Sequence, residues 1–195
     1  MTQKEHYAAG RSVQYALFLF VLALIVSVMV LLIIYSPERF IEMIGVENSY
    51  IVLFFLGLLG GVSSLTATSF LVTASGFALG GLNPFVIGVV SGVGMTLGDL
   101  LFFLLGKKGR DVSKGVLRIK LEKVSEWISQ KPPWLIFVVV FTYLAFTPFP
   151  GDILIVSLAL FGVPLKLLIV PFLLGNIVLI TLVTYLSVLG FGILG

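Results

Sequence analysis

Residues 60–81 read GGVSSLTATSFLVTASGFALGG, and how this stretch is threaded decides the fold. It carries no charge and is rich in glycine, serine and threonine. It sits inside a longer uncharged segment from Tyr50 to Leu82. One reading makes it an ordinary membrane span with a face of small residues for helix packing. The other makes it a re-entrant hairpin, which enters the membrane and returns to the side it came from. Non-helical backbone at membrane depth survives only where protein or water satisfies its N–H and C=O groups. Small hydroxyl side chains help with that and let neighbouring helices approach closely.

The flanking charges favour the hairpin. Upstream, Ser36 to Ser49 is acidic, with Glu38, Glu42 and Glu47 against Arg39. Downstream, beyond the apolar run from Pro84 to Leu105, Lys107 to Lys131 holds eight Lys and Arg against Asp111, Glu122 and Glu126. If every apolar segment spanned, these two stretches would share a side, against the positive-inside rule. A hairpin over 50–82 removes the conflict. It puts the basic block and the weakly basic tail (residues 1–14, with Lys4, Arg11 and Glu5) in the cytoplasm and the acidic connector outside.

Composition sets the solvent. The 195 residues are 59% hydrophobic and 11% charged, with a mean hydropathy of +1.19, whereas a soluble domain carries about 25% charge. The chain therefore reads as an integral membrane protein of the cell membrane, multi-pass, with a cytoplasmic N-terminus. Tyr15 to Tyr35 is uncharged and long enough to cross a core of roughly 30 Å. It is also too long for the apolar part of a cleaved signal, about 7–15 residues, so it is expected to be a retained first helix. There is no cysteine, and the single His6 lies in the polar tail, which removes thiolate, disulfide and histidine-centred chemistry. The pI of about 9.2 points to anionic lipid headgroups rather than nucleic acid, because the basic residues cluster beside apolar segments.

A second broken stretch lies at residues 146–155, FTPFPGDILI, within the apolar run from Trp134 to Val163. Pro148, Pro150 and Gly151 do not suit a helix interior, so this reads as the tip of a second hairpin, dipping in from the cytoplasm. Asp152 follows the break, where a new helix would start and a carboxylate caps free N–H groups. Capping is its structural role. A charge within a membrane is also a functional candidate in its own right.

The two halves look alike. Each has a small-residue or broken hairpin, a turn with proline, and a full span carrying a polar residue after glycine. Gly98-Asp99 corresponds to Gly175-Asn176, and Asn83-Pro84 to Val163-Pro164. Because the hairpins enter from opposite faces, the repeat is inverted, and such repeats place substrate and ion sites between their broken helices. Asp99 stands seven residues before Gly106, roughly 10 Å into the membrane. An ionised carboxylate without a partner is disfavoured there, so Asp99 is expected to exchange a proton.

These residues resemble the DedA family, also called SNARE-associated or VTT-domain proteins. The likeness runs from about Gly60 to Leu189 and is carried by ASGFALGGLNPF followed by GVGMTLGDLLFFLLGKKG. Gly76, Gly80, Gly94, Gly98, Asp99, Phe103, Gly106, Lys107 and Gly109 match the family pattern. The resemblance implies a proton-linked flippase of polyprenyl-phosphate or phospholipid carriers, or a lipid scramblase. The chain departs from the family at both hairpins. Thr68-Ser69 stands where the first usually has an acidic residue, and the arginines usual around the second are missing.

The fold class expected is all-α integral membrane. It has about three full spans and two broken re-entrant hairpins in an inverted repeat, with units at 50–106 and 134–189, and a cytoplasmic interfacial segment at 107–131. Leu117, Leu121, Val124 and Ile128 form an amphipathic stripe in that segment beside Trp127, suited to lie in the interface. The function expected is a small transporter of a lipid or polyprenyl-phosphate-type carrier, proton-coupled through buried aspartate. The alternatives are a transporter of a small solute and a non-transporting scaffold. An enzyme is not expected: Asp99 and Asp152 invite an aspartyl-protease reading, but no known protease motif surrounds them. Substrate and proton candidates are Asp99, Asp152, Thr68, Ser69, Thr73 and Asn176, with Lys107 and Lys166 as headgroup or phosphate contacts. No cofactor or metal is expected. The partners are membrane lipids and protons, with a homo-oligomer left open.

Overall fold

The structure, a computed structural model, describes residues 37–62, 64–112, 115–147 and 151–194, together with Ala23 and Ser27. The tail, the expected first helix over 15–35 (those two residues apart), Pro148 and Pro150 lie outside the described residues. Every described element is helical: α1 Pro37–Ile44, α2 Val46–Gly60, α3 Ser64–Leu79, α4 Pro84–Val112, α5 Gly115–Ser129, α6 Pro133–Phe146, α7 Gly151–Leu160, a 3₁₀ turn Leu165–Leu167, and α8 Ile169–Leu194. Two stretches are long and apolar enough to cross a membrane, Pro84–Lys108 and Leu165–Gly190. A third exists if α5 and α6, bent by 112° at their junction, count as one. Among the described residues the fold is thus all-helical, with two or three helices that could span a membrane.

The remaining apolar helices are short. α2, α3, α6 and α7 have 15, 16, 14 and 10 residues, about 15–24 Å at 1.5 Å per residue, less than the roughly 30 Å of a hydrocarbon core. The turn between α2 and α3 shows why threonine belongs there. The last carbonyls of a helix have no partner within it; Thr66 on α3 reaches back and its hydroxyl donates to the Leu59 carbonyl at 3.0 Å.

Both α3 and α7 end with the same device. Gly81 and Gly162 take φ of +97° and +72°, a region glycine enters without strain. Their N–H groups bond back to Ala78 and Ala159, and those of Leu82 and Val163 to Phe77 and Leu158, closing the orphan carbonyls in a Schellman arrangement. The equivalent residues are therefore Leu82 and Val163, both buried. The second half reaches its proline one residue sooner than the expected pairing of Asn83-Pro84 with Val163-Pro164. In the first half the extra residue, Asn83, caps α4, its Oδ1 accepting from the N–H groups of Phe85 and Val86.

Glycines bring α4 close to two neighbours. A Cβ at Gly94 would strike the Phe54 carbonyl, one at Gly98 the Leu58 carbonyl, and one at Gly61 the Met95 carbonyl. On another face Gly88 lies on Thr181 and Gly92 on Ile177 of α8, which crosses α4 antiparallel. In a membrane, where burial from water does not drive helices together, such close backbone packing holds them. Gly98→Ala is expected to lower stability by about 1–3 kcal/mol, the usual cost of overpacking, measured as thermal unfolding in detergent.

Two buried clusters flank the α4–α8 crossing. One joins α1, α2, α3 and the first part of α4, around Leu53, Phe70, Phe77 and Ile87. The other joins α6, α7 and the end of α4, around Phe103, Leu144, Ile155 and Phe172. Outside them Phe55, Val72, Leu101, Val139 and Leu186 are exposed, a surface suited to lipid. α5 turns Leu121 inward and packs Ile128 on the second cluster, leaving Trp127 exposed with Lys131 Nζ 4.4 Å from its ring centroid. The basic stretch divides differently from the expectation: Lys107 to Val112 continue α4, and the separate helix starts at Gly115.

Candidate functional site

The two clusters leave a polar seam between them. On α4, Asp99 stands one turn from Met95 of the first cluster and one turn from Phe103 of the second. On α8, Asn176 stands in the same relation to Ile180 and Phe172. Because the helices cross here, the two side chains meet. Asn176 Nδ2 donates to Asp99 Oδ2 at 2.6 Å, and Asp99 is 4% and Asn176 1% exposed.

Thr96 fixes the sense of the pair. Its hydroxyl donates to the Gly92 carbonyl at 2.7 Å, so its oxygen is left to accept, which it does from Asn176 Nδ2 at 3.2 Å. Both hydrogens of the amide nitrogen are thus used, one toward Thr96 and one toward Asp99. Asp99 is held as an acceptor on one oxygen whether or not its carboxyl carries a proton. Asn176→Leu removes both donations and leaves a buried acid without its partner, so it is expected to lower stability by about 1–3 kcal/mol, read by thermal unfolding.

Asp99 and Asn176 face a cavity of about 540 Å³. Its polar wall is Thr68, Asp99, Tyr143, Thr147, Asp152 and Asn176, and its apolar wall includes Leu71, Met95 and Leu182. The ends of both short helix pairs reach it, through Gly60 from α2 and through Thr147 and Gly151 from the α6–α7 junction. Asp152 is in the first turn of α7, the position where a carboxylate meets free N–H groups. Among the described residues lining the cavity none is basic. Asp99 and Asp152 thus place two carboxyl groups on a largely apolar wall.

The structure thus brings Asp99, Asp152, Asn176 and Thr68 together around one cavity. Ser69 and Thr73 are not on its wall; the Thr73 hydroxyl donates to the Ser69 carbonyl within α3 at 3.0 Å. Lys107 lines a second cavity of about 270 Å³ at the far end of α4. Lys166 is exposed on the 3₁₀ turn and lines neither cavity. Thr96, Tyr143 and Thr147 are site residues that sequence reasoning missed. Thr96 carried a usable signal, standing three residues before Asp99 and hence on the same helix face. Among the described residues no three His, Asp or Glu side chains gather as a metal site would require. Comparison of the chain with models of known families, with curated proteins and with solved structures returned no match.

Proposed function

We propose that this protein is a small proton-linked membrane carrier in which Asp99, Asp152 or both bind and release a proton as their cavity opens to one face and then the other. The observation that carries this reading is the buried Asp99–Asn176 pair on the wall of a cavity reached by both helix breaks. Four short helices support the topology. With α2–α3 entering from outside and α6–α7 from the cytoplasm, each pair ends at membrane depth, and the cavity lies between their tips. Each pair's return helix also packs on the long helix of the other half, α3 on α8 and α7 on α4, an exchange that supports the inverted-repeat reading.

The cargo proposed is a lipid or polyprenyl-phosphate-type carrier, in line with the DedA resemblance and with an apolar surface around the site. The absence of a basic residue on the described cavity wall favours one alternative, uptake of a small cationic or neutral solute into the cavity itself. A proteoliposome assay separates them: translocation of a fluorescent lipid is expected from the first, and proton-coupled uptake of a solute without lipid movement from the second. Neither activity above that of protein-free vesicles would leave the chain as a scaffold.

A further inference from the structure

The bond between Asp99 and Asn176 uses only half of each side chain. Asn176 spends both amide hydrogens at the helix crossing, on Thr96 at 3.2 Å and on Asp99 Oδ2 at 2.6 Å. Two oxygens remain, Asp99 Oδ1 and Asn176 Oδ1, and no described group donates to either. Neither is sealed in the packing. Among the described residues, the enclosed side-chain atoms without a partner are the hydroxyls of Ser91 and Thr181. Both oxygens therefore open on the cavity that their residues line. Buried acceptors are ordinarily paired, so this wall calls for donors from outside the chain.

The cavity is larger than a proton or a single water needs. Its 540 Å³ or so falls among pockets for small organic ligands, roughly 300–1,000 Å³. Much of the wall is apolar, with Leu71, Met95 and Leu182 among its residues. Its exposed members are Thr68, Phe146 and Leu182. Two of these three are apolar, which suits entry from acyl chains rather than from water. A matching ligand carries hydrogen-bond donors at one end and an apolar body behind them. A charged donor suits Asp99 best, because a hydrogen bond with ionised partners is about twice as strong as a neutral one. Among the described residues of the wall no basic side chain competes for that place. A phosphate beside the ligand's cation would find no counter-charge there.

We infer that this cavity binds a primary or secondary organic amine in its ammonium form. Its N–H groups donate to Asp99 Oδ1 and Asn176 Oδ1, and its apolar body lies against Leu71, Met95 and Leu182. The inference deepens the solute alternative of the carrier reading by naming the class of cargo, and it rests on that reading only for transport. The ammonium and the exchanged proton then occupy the same carboxyl oxygen in turn.

The test is equilibrium dialysis of the purified full chain in dodecyl maltoside at neutral pH. The probes are hexylamine, hexyltrimethylammonium, hexanol and dihexanoyl phosphatidylethanolamine. Hexylamine is expected to bind saturably and more tightly than each of the others by about ten-fold or more, the factor one charge-assisted hydrogen bond supplies. Equal binding of hexyltrimethylammonium, which has the charge but no N–H, would overturn the donor assignment. Equal binding of hexanol would reduce the cavity to an apolar hole. Equal binding of the phosphatidylethanolamine would make the ligand a phospholipid head and overturn the free amine. Asp99→Asn keeps the acceptor for Asn176 and should weaken hexylamine by about ten-fold or more; unchanged binding would overturn the site. Leu182→Trp, on the exposed part of the wall, should also weaken it and decides the matter if Asp99→Asn does not fold. Leu101→Trp, exposed on α4 and outside the cavity, should leave binding unchanged, and equal weakening by it would count against the site. Hexylamine binding with no translocation in proteoliposomes would defeat the carrier reading and leave the site standing. Proton-linked translocation without hexylamine binding would overturn this inference and leave the carrier reading in place.

Discussion

Asp99→Asn is expected to fold and to abolish coupled translocation. The replacement keeps an oxygen that accepts from Asn176 Nδ2, so the 2.6 Å bond across the helix crossing and the packing around it survive. It removes the ability to bind and release a proton. In proteoliposomes the wild-type rate should therefore vary with pH, and the variant should stay at the level of protein-free vesicles across the whole series. Thermal unfolding of the variant close to that of the wild type would show that the loss is chemical. An unchanged rate and pH profile would make Asp99 a packing residue whose carboxylate has no part in transport.

Asp152 offers the second large effect, and two substitutions divide its roles. In the first turn of α7 it can be replaced by asparagine, whose side chain also accepts from free N–H groups. Alanine cannot, and Asp152→Ala is expected to cost about 0.5–2 kcal/mol of stability. If capping were its whole role, Asp152→Asn would transport normally. Since Asp152 and Asp99 line one cavity, Asp152→Asn is expected instead to unfold at the wild-type temperature and to lose translocation. Full activity in Asp152→Asn would return the residue to a structural role.

Much of this architecture was legible because helix breaks in apolar sequence have few chemical causes. Glycine, serine and threonine over 60–81 announced the α2–α3 turn, and Thr66 shows the physical reason: a hydroxyl closes a carbonyl where no water reaches. Asp99 and Asn176 each followed a glycine in otherwise apolar helices, which marked both. That they bond to one another was not legible, since it depends on the crossing of α4 and α8 seventy-seven residues apart in sequence. Thr73 does not line the cavity. A hydroxyl inside a helix can donate to the carbonyl four residues back, and its type alone does not tell whether it faces a cavity. α1 was hidden because Glu38 and Glu42 read as a connector, although Ile41 is buried in the first cluster. Arg110 looked like one charge in a basic block, and only the turn at Gly162, where a Cβ would coincide with its guanidinium, gives it a seat.

The central claim is that two helix pairs enter from opposite faces and end at one cavity, and sidedness tests it most directly. Single cysteines at Asn48, Gly80, Gln130 and Lys166, in a chain that has no native cysteine, can be labelled in oriented membranes with an impermeant maleimide. Asn48 before the body of α2 and Gly80 after α3 should react from the outside. Gln130 before α6 and Lys166 after α7 should react from the cytoplasm. Labelling of Asn48 and Gly80 from opposite faces would contradict the account, because α2–α3 would then cross the membrane and the two halves would not be inverted.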